Sequence, residues 1–91
     1  MDKAIAFLEV QAMVTAIAGL DAMVKAADVE LIHVEKRLGG RLVTVVVEGT
    51  VSAVTAALEA GRAAAAEVGN VKLCEVIARP HPEIMKFLKT G

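Results

Sequence analysis

Apolar and polar positions alternate along some stretches of the chain and recur at helical spacing along others. Residues 3–10, KAIAFLEV, follow a period of two, with Ile5, Phe7 and Glu9 on one face, and predict a strand. Residues 13–27, MVTAIAGLDAMVKAA, switch to helical spacing, where Val14, Ile17, Ala18, Leu20 and Val24 form an apolar stripe. Gly19 within that helix costs about 1 kcal/mol against alanine, which implies a close backbone approach at that point. Two β-branched runs follow, 29–36 and 42–48, joined through EKRLGGRL at 35–42. Gly39 and Gly40 supply the positive φ angles of a tight hairpin. Residues 51–68 form a second predicted helix, with Thr50 or Ser52 as its cap and Gly69-Asn70 as its stop. Residues 71–78, VKLCEVIA, predict a fourth strand. The two prolines of ARPHPE break the pattern, and IMKFLKT predicts a short terminal helix.

The order β-α-β-β-α-β, then a helix, predicts an α+β chain of the ferredoxin-like split β-α-β class. A four-stranded antiparallel sheet would carry its two main helices on one face, and residues 1–91 would form a single domain. The two β-α-β halves match in organisation but share little sequence. The second helix is thin almost all round, because Ala56, Ala57, Ala60, Ala63, Ala64, Ala65 and Ala66 fall within it. Alanine favours the helix and allows close packing on the sheet, and it also lets a neighbouring subunit approach.

Composition sharpens this picture. The chain has 91 residues and is 56% hydrophobic. A domain of that size buries only about two-thirds of its unfolded surface. The apolar excess therefore predicts buried contacts between subunits. A net charge of −1 gives no general attraction to nucleic acid or to an anionic membrane. There is no Trp or Tyr, and Phe7 and Phe87 are the only aromatic carbocycles, so no stacking platform for single strands is expected. The longest uncharged run, Val10 to Leu20, falls short of the roughly 20 residues that span a bilayer. Glu9 interrupts the first apolar stretch, so no leader peptide is expected. The one cysteine, Cys74, excludes an intrachain disulfide, and all this fits a cytosolic protein.

Catalytic patterns are scarce. His33, Cys74 and His81 lack metal-ligand spacing, so no metal or cofactor is expected, and Cys74 reads as a small apolar strand residue. Glu30, Glu35, Glu48 and Glu59 are scattered and read as solvated charges, with Arg62 placed to pair Glu59 at i, i+3. Gly39-Gly40 fits neither phosphate-loop pattern. No catalytic residue is therefore assigned. Two places remain. One is the hairpin tip with Lys36, Arg37 and Arg41. The other is the ARPHP turn, where a rigid backbone presents the planar five-donor fork of Arg79.

Taken together, DAMVKAADVELIHVEK, GGRLVTVVVEGTVSAVTAALEAGRAAA and VIARPH resemble the single-domain, hexamer-forming shell proteins of bacterial microcompartments. The motifs D-x-M-V-K-A-A at 21–27, E-K at 35–36, L-V-T-V-x-V-x-G at 42–49 and A-R-P-H at 78–81 occur in the family's order, and the similarity runs from Ala4 to about His81. The resemblance implies a six-fold ring that tiles edge to edge into the flat facet of a protein shell in the bacterial cytoplasm. Its partners would be further copies of itself, other shell proteins and the enclosed enzymes. It places Lys25, Arg79 and His81 at the edge between hexamers. It places Lys36, Arg37, Leu38, Gly39, Gly40 and Arg41 at a central pore for small polar or anionic metabolites. The chain departs from the family pattern at this loop, which is one residue longer and has Arg37-Leu38 where isoleucine is usual. The chain ends soon after R-P-H, so no long extension is expected to cover a face.

In such a ring the three cations of each tip would crowd one axis. Two like charges at ~6 Å cost about 3 kcal/mol at an effective dielectric near 20. Most of these side chains are therefore expected to splay outward, with Glu35 and Glu48 offsetting some of the charge and the ring still favouring anions. From the residues alone, the alternative is a ferredoxin-like regulatory domain that binds a small ligand at a subunit interface.

Overall fold

The structure is a computed structural model that describes residues 3–90. Met1, Asp2 and Gly91 of the predicted domain lie outside the described residues. Strand β1 (Ala4–Val10) leads to helix α1 (Met13–Ala26) and strand β2 (Glu30–Arg37). A single 3-10 turn, Leu38–Gly40, connects to β3 (Leu42–Gly49). Helix α2 (Val51–Val68), strand β4 (Val71–Ala78) and helix α3 (Pro82–Thr90) complete the chain. All pairings are antiparallel and the strand order is β2-β3-β1-β4, the arrangement expected of the split β-α-β pattern.

Strand alternation decides which side chains meet which helices. Ala4, Ala6, Leu8 and Val10 of β1 and Val43, Val45 and Val47 of β3 share the main core with α1 and α2. Ile5 and Phe7 of β1 and Val46 of β3 turn to the opposite face, where Leu88 and Met85 of α3 cover them. The β2–β3 register shifts between Leu31 and His33. A bulge at this point lets Ile32 join the α3-side cluster while His33 lies opposite Val46.

The α1 stripe is corrected by the structure. Val14, Ile17 and Val24 are 68%, 59% and 45% exposed, whereas Thr15, Ala16, Gly19 and Met23 are buried. The buried side is the thin one because α1 packs closely on α2. A Cβ on Gly19 would sit 2.5 Å from Leu8 Cδ2 and 3.3 Å from the Gly61 carbonyl oxygen. The close approach expected at Gly19 is therefore present; Met23 is buried and Leu20 packs against the core, while Val14, Ile17 and Val24 face outward.

Local signals explain the helix ends. The Thr50 hydroxyl accepts from the Ala53 amide at 3.1 Å and caps α2, so Thr50 and not Ser52 is the cap. Helix α1 has no side-chain cap, and its entry residue Ala12 holds φ 77°, ψ 144°, a region that favours glycine. Helix α3 begins at Pro82, whose fixed φ suits the first helical position. His81 Nδ1 accepts from the Glu83 amide at 3.1 Å and caps its first turn.

Candidate functional site

The hairpin tip is a run of left-handed residues: Leu38 at φ 53°, Gly39 at φ 66° and Gly40 at φ 88°. Two glycines make this turn accessible, and Leu38 holds its conformation against the usual preference of a side chain. Leu38 is 65% exposed at the outermost point. The three cations leave the tip in different directions. Lys36 pairs in register with Val43, on the α1–α2 side of the sheet. Arg37 lines a cavity on the α3 side with Thr44 and Val46. Arg41 folds back, its Nε donating to the Leu38 carbonyl at 3.1 Å.

The second place is the corner between β4 and α3. Arg79 has φ 54°, and it lines a cleft of about 450 Å³ with Lys3, Glu48 and Lys89. Lys25, on the outer side of α1, pairs with Asp21 one turn earlier at 2.9 Å. Within one subunit no described contact joins Lys25 to Arg79 or to His81, which is occupied in capping α3. The tip residues Lys36–Arg41, by contrast, are brought together by the turn itself.

Glu48 corrects the expectation that it is solvated and offsets charge at the tip. It lies at the other end of β3, 3% exposed, and its Oε1 meets Lys89 Nζ at 3.2 Å and Lys3 Nζ at 3.8 Å. Its Oε2 is buried with no hydrogen-bond partner. The reason is tertiary: α3 folds over that end of the sheet and covers a position that strand alternation alone leaves open. Glu35 does sit near the tip, but its carboxylate is bound to His33 Nε2 at 3.1 Å. His33 also bonds the Leu88 carbonyl through Nδ1 at 3.1 Å. Both partners are oxygens that only accept, so the ring nitrogen that carries hydrogen is the donor. His33 thus ties β2 to α3.

Comparison with known proteins places this arrangement. A family model described as the BMC domain matches residues 4–80. The chain belongs to the BMC-domain family. It is 48% identical over 89 residues to the bacterial microcompartment shell protein PduA of Citrobacter freundii, covering 98% of this chain and 95% of that one. It is 42% identical over 89 residues to the microcompartment shell protein EutM of Escherichia coli, covering 98% and 91%. It is 44% identical over 92 residues to the carboxysome shell protein CsoS1 of Prochlorococcus marinus, covering 100% and 88%. A crystal structure of a microcompartment protein from Desulfitobacterium hafniense superposes with a TM-score of 0.87 at 27% identity. That match covers the whole of this chain, which spans about half the length of that protein.

This BMC domain is accordingly a structural shell component and not an enzyme, and the regulatory-domain alternative is not favoured. Among the described residues, no group of three or more His, Cys, Asp or Glu is placed to hold a metal ion. Cys74 packs against the main core. Burial pushes its thiol above the ordinary cysteine value, against a smaller opposing pull from Arg62, which leaves it a poor nucleophile. Glu59 and Arg62 form no ion pair among the described contacts of the BMC domain. No helix among the described residues is long and apolar enough to cross a membrane.

Sequence reading missed His33 and Glu48 as organising residues. The only signal for His33 was its place two residues before Glu35 on one strand face. For Glu48 it was a carboxylate on the same strand face as Val46.

Proposed function

We propose that the chain forms a six-fold ring that tiles into a flat facet of a microcompartment shell in the bacterial cytoplasm, with the Leu38–Gly40 tips meeting at a central pore. The observation that carries this reading is the match to a shell-protein family over residues 4–80. The exposed apolar residues Val14, Ile17 and Val24 of α1 support it, because outward-facing apolar side chains of that size favour burial against another subunit. The enclosed enzymes and the other shell proteins are the partners this reading assigns.

In the ring, Leu38, Gly39 and Gly40 form the constriction, with Lys36, Arg37 and Arg41 around it. Because Lys36 and Arg37 leave the tip on opposite faces of the sheet, positive charge lies on both sides of the opening and not within it. That spacing lowers the mutual repulsion and leaves a potential that favours small anions over cations. Lys25, Arg79 and His81 serve the edges between rings. A guanidinium held on the rigid Arg79-Pro80 corner can cap carbonyl groups of a neighbour.

Native mass spectrometry of the dilute protein tests the ring, and electron microscopy of concentrated protein tests the tiling. The expected outcome is a hexamer that forms sheets. Arg79→Ala should keep the hexamer and lose sheet order, since truncating an interface arginine costs about 2 kcal/mol or more. A dimer or monomer of the parent chain would overturn the ring, and dissociation of the Arg79→Ala hexamer would overturn the edge assignment.

A further inference from the structure

On the α3 side of the sheet lies a cavity of about 300 Å³. That volume is at the small end for sites that enclose organic molecules. Phe7 and Val46 of the sheet make its floor, and Phe87 and Leu88 of α3 make one wall. Leu88 and Val46 are buried, while Phe87 is 68% exposed at the mouth. The opposite wall is β2. There His33 bridges from Glu35 to the Leu88 carbonyl and fixes the distance between the two walls.

The polar groups around this cavity are almost all engaged. Glu35 is held by His33, and the Thr44 hydroxyl donates to Glu9 Oε2 at 2.9 Å. Arg37 is the exception. It lines the cavity, and its guanidinium makes no hydrogen bond or ion pair among the described residues. Glu35 and Glu9, the two nearby carboxylates, each hold another partner, and neither makes an ion pair with Arg37 among the described residues. A chamber with an apolar floor and wall, a polar rim and one uncommitted guanidinium has a defined complement: an apolar group bearing a single carboxylate. The planar fork of arginine matches a carboxylate through two parallel hydrogen bonds.

We propose that this cavity binds small monocarboxylates carrying an aromatic or short aliphatic group, with Arg37 receiving the carboxylate and Phe7, Val46 and Phe87 receiving the apolar part. A second carboxylate on the ligand would be placed against the apolar floor or beside Glu35, so dicarboxylates are rejected. A neutral analogue of the same shape fills the chamber but leaves Arg37 without its partner. All of the lining residues belong to one subunit. The site therefore stands whether or not the chain closes into a six-fold ring with a pore.

The test uses the assembled protein and three probes: benzoate, its neutral isostere benzamide, and acetate. Methyl resonances of Val46 and Leu88 are followed by NMR during each titration. Benzoate is expected to shift both methyls and to bind about tenfold more tightly than benzamide, the scale of a charge-assisted pair. Acetate is expected to bind weakly, because it leaves the apolar floor uncovered. Arg37→Met keeps the aliphatic stem and should bring benzoate and benzamide to equal affinity. Phe87→Ala should reduce benzoate towards acetate. Lys36→Met, on the other sheet face, should leave the preference for benzoate intact. Equal binding of benzoate and benzamide by the parent protein, or no shift at Val46 and Leu88, overturns the proposal without any variant. Loss of the preference in Lys36→Met as well as Arg37→Met would assign it to general surface charge and would also overturn it.

Discussion

On the α1–α2 face of the sheet, Ala4, Ala6, Leu8 and Val10 meet Val43, Val45 and Val47 beneath two helices, and the buried groups there are almost entirely apolar. On the α3 face, a single short helix covers Ile5 and Val46 through Leu88. Around that contact stand a buried carboxylate with an unpartnered oxygen, a histidine bonded at both nitrogens, and an open cavity. The first face holds the subunit together by close packing, which tolerates little change in volume. The second is covered loosely and polar groups fix its geometry. Stability and chemical capacity have therefore been separated onto opposite sides of one four-stranded sheet.

Substitution can break that contrast, and the largest effect belongs to the packed face. Leu8→Ala should cost about 3–4 kcal/mol of subunit stability in urea unfolding, because Leu8 is fully buried and touches the α1 approach at Gly19. Gly19→Val should follow, at about 2–3 kcal/mol. Its Cβ would collide with Leu8 and press on the Gly61 carbonyl, so the helices would have to separate. A chemical shift change at Met23 and Leu8, or loss of thermal stability, reads this out. A cost below half a kcal/mol would mean that the interface adjusts freely.

The α3 face should respond less, and locally. Leu88→Ala should cost about 2 kcal/mol, and hydrogen exchange should show the loss of protection confined to α3 while Val43–Val47 stay protected. Global loss of protection would show that α3 is part of the cooperative core, and the contrast between the faces would fail. The smallest effect has the opposite sign. Ala12→Gly should raise stability by about 1 kcal/mol, since Ala12 at φ 77° occupies a glycine conformation at the start of α1. Thermal melts of the two proteins would measure it directly, and a lower melting temperature would remove the strain argument.

The apolar periodicities located all four strands and three helices within one or two residues of their observed ends, because each segment carries its own local signal. β1 is a short apolar run closed by Glu9 and Val10, Thr50 is a good cap, and Gly39-Gly40 marks a tight turn that needs positive φ. The helical spacing of α1 was equally clear but identified the wrong face. Val14, Ile17 and Val24 are the more apolar side, and yet they point outward. Periodicity reports that a face is apolar; it does not report whether the sheet or a second subunit covers it. The motifs around Lys36–Arg41 and Arg79 stood out in the sequence, and their order along the chain resembles a shell-protein family, to which the match over residues 4–80 assigns the chain.

By itself, then, the sequence determined the elements, their order, the split β-α-β class and the position of the cationic hairpin, all of which depend on residues near one another in the chain. Only the tertiary structure decided which side of α1 is buried, that Glu48 sits under α3 with Lys3 and Lys89, and that Arg37 opens onto a cavity while Arg41 turns back. The physical reason is the same in each case. Those outcomes depend on contacts such as His33 with Leu88, 55 residues apart, and on how closely two helices can approach across Gly19 and Gly61. Neither the bridge nor the approach distance is encoded in any short window of the chain.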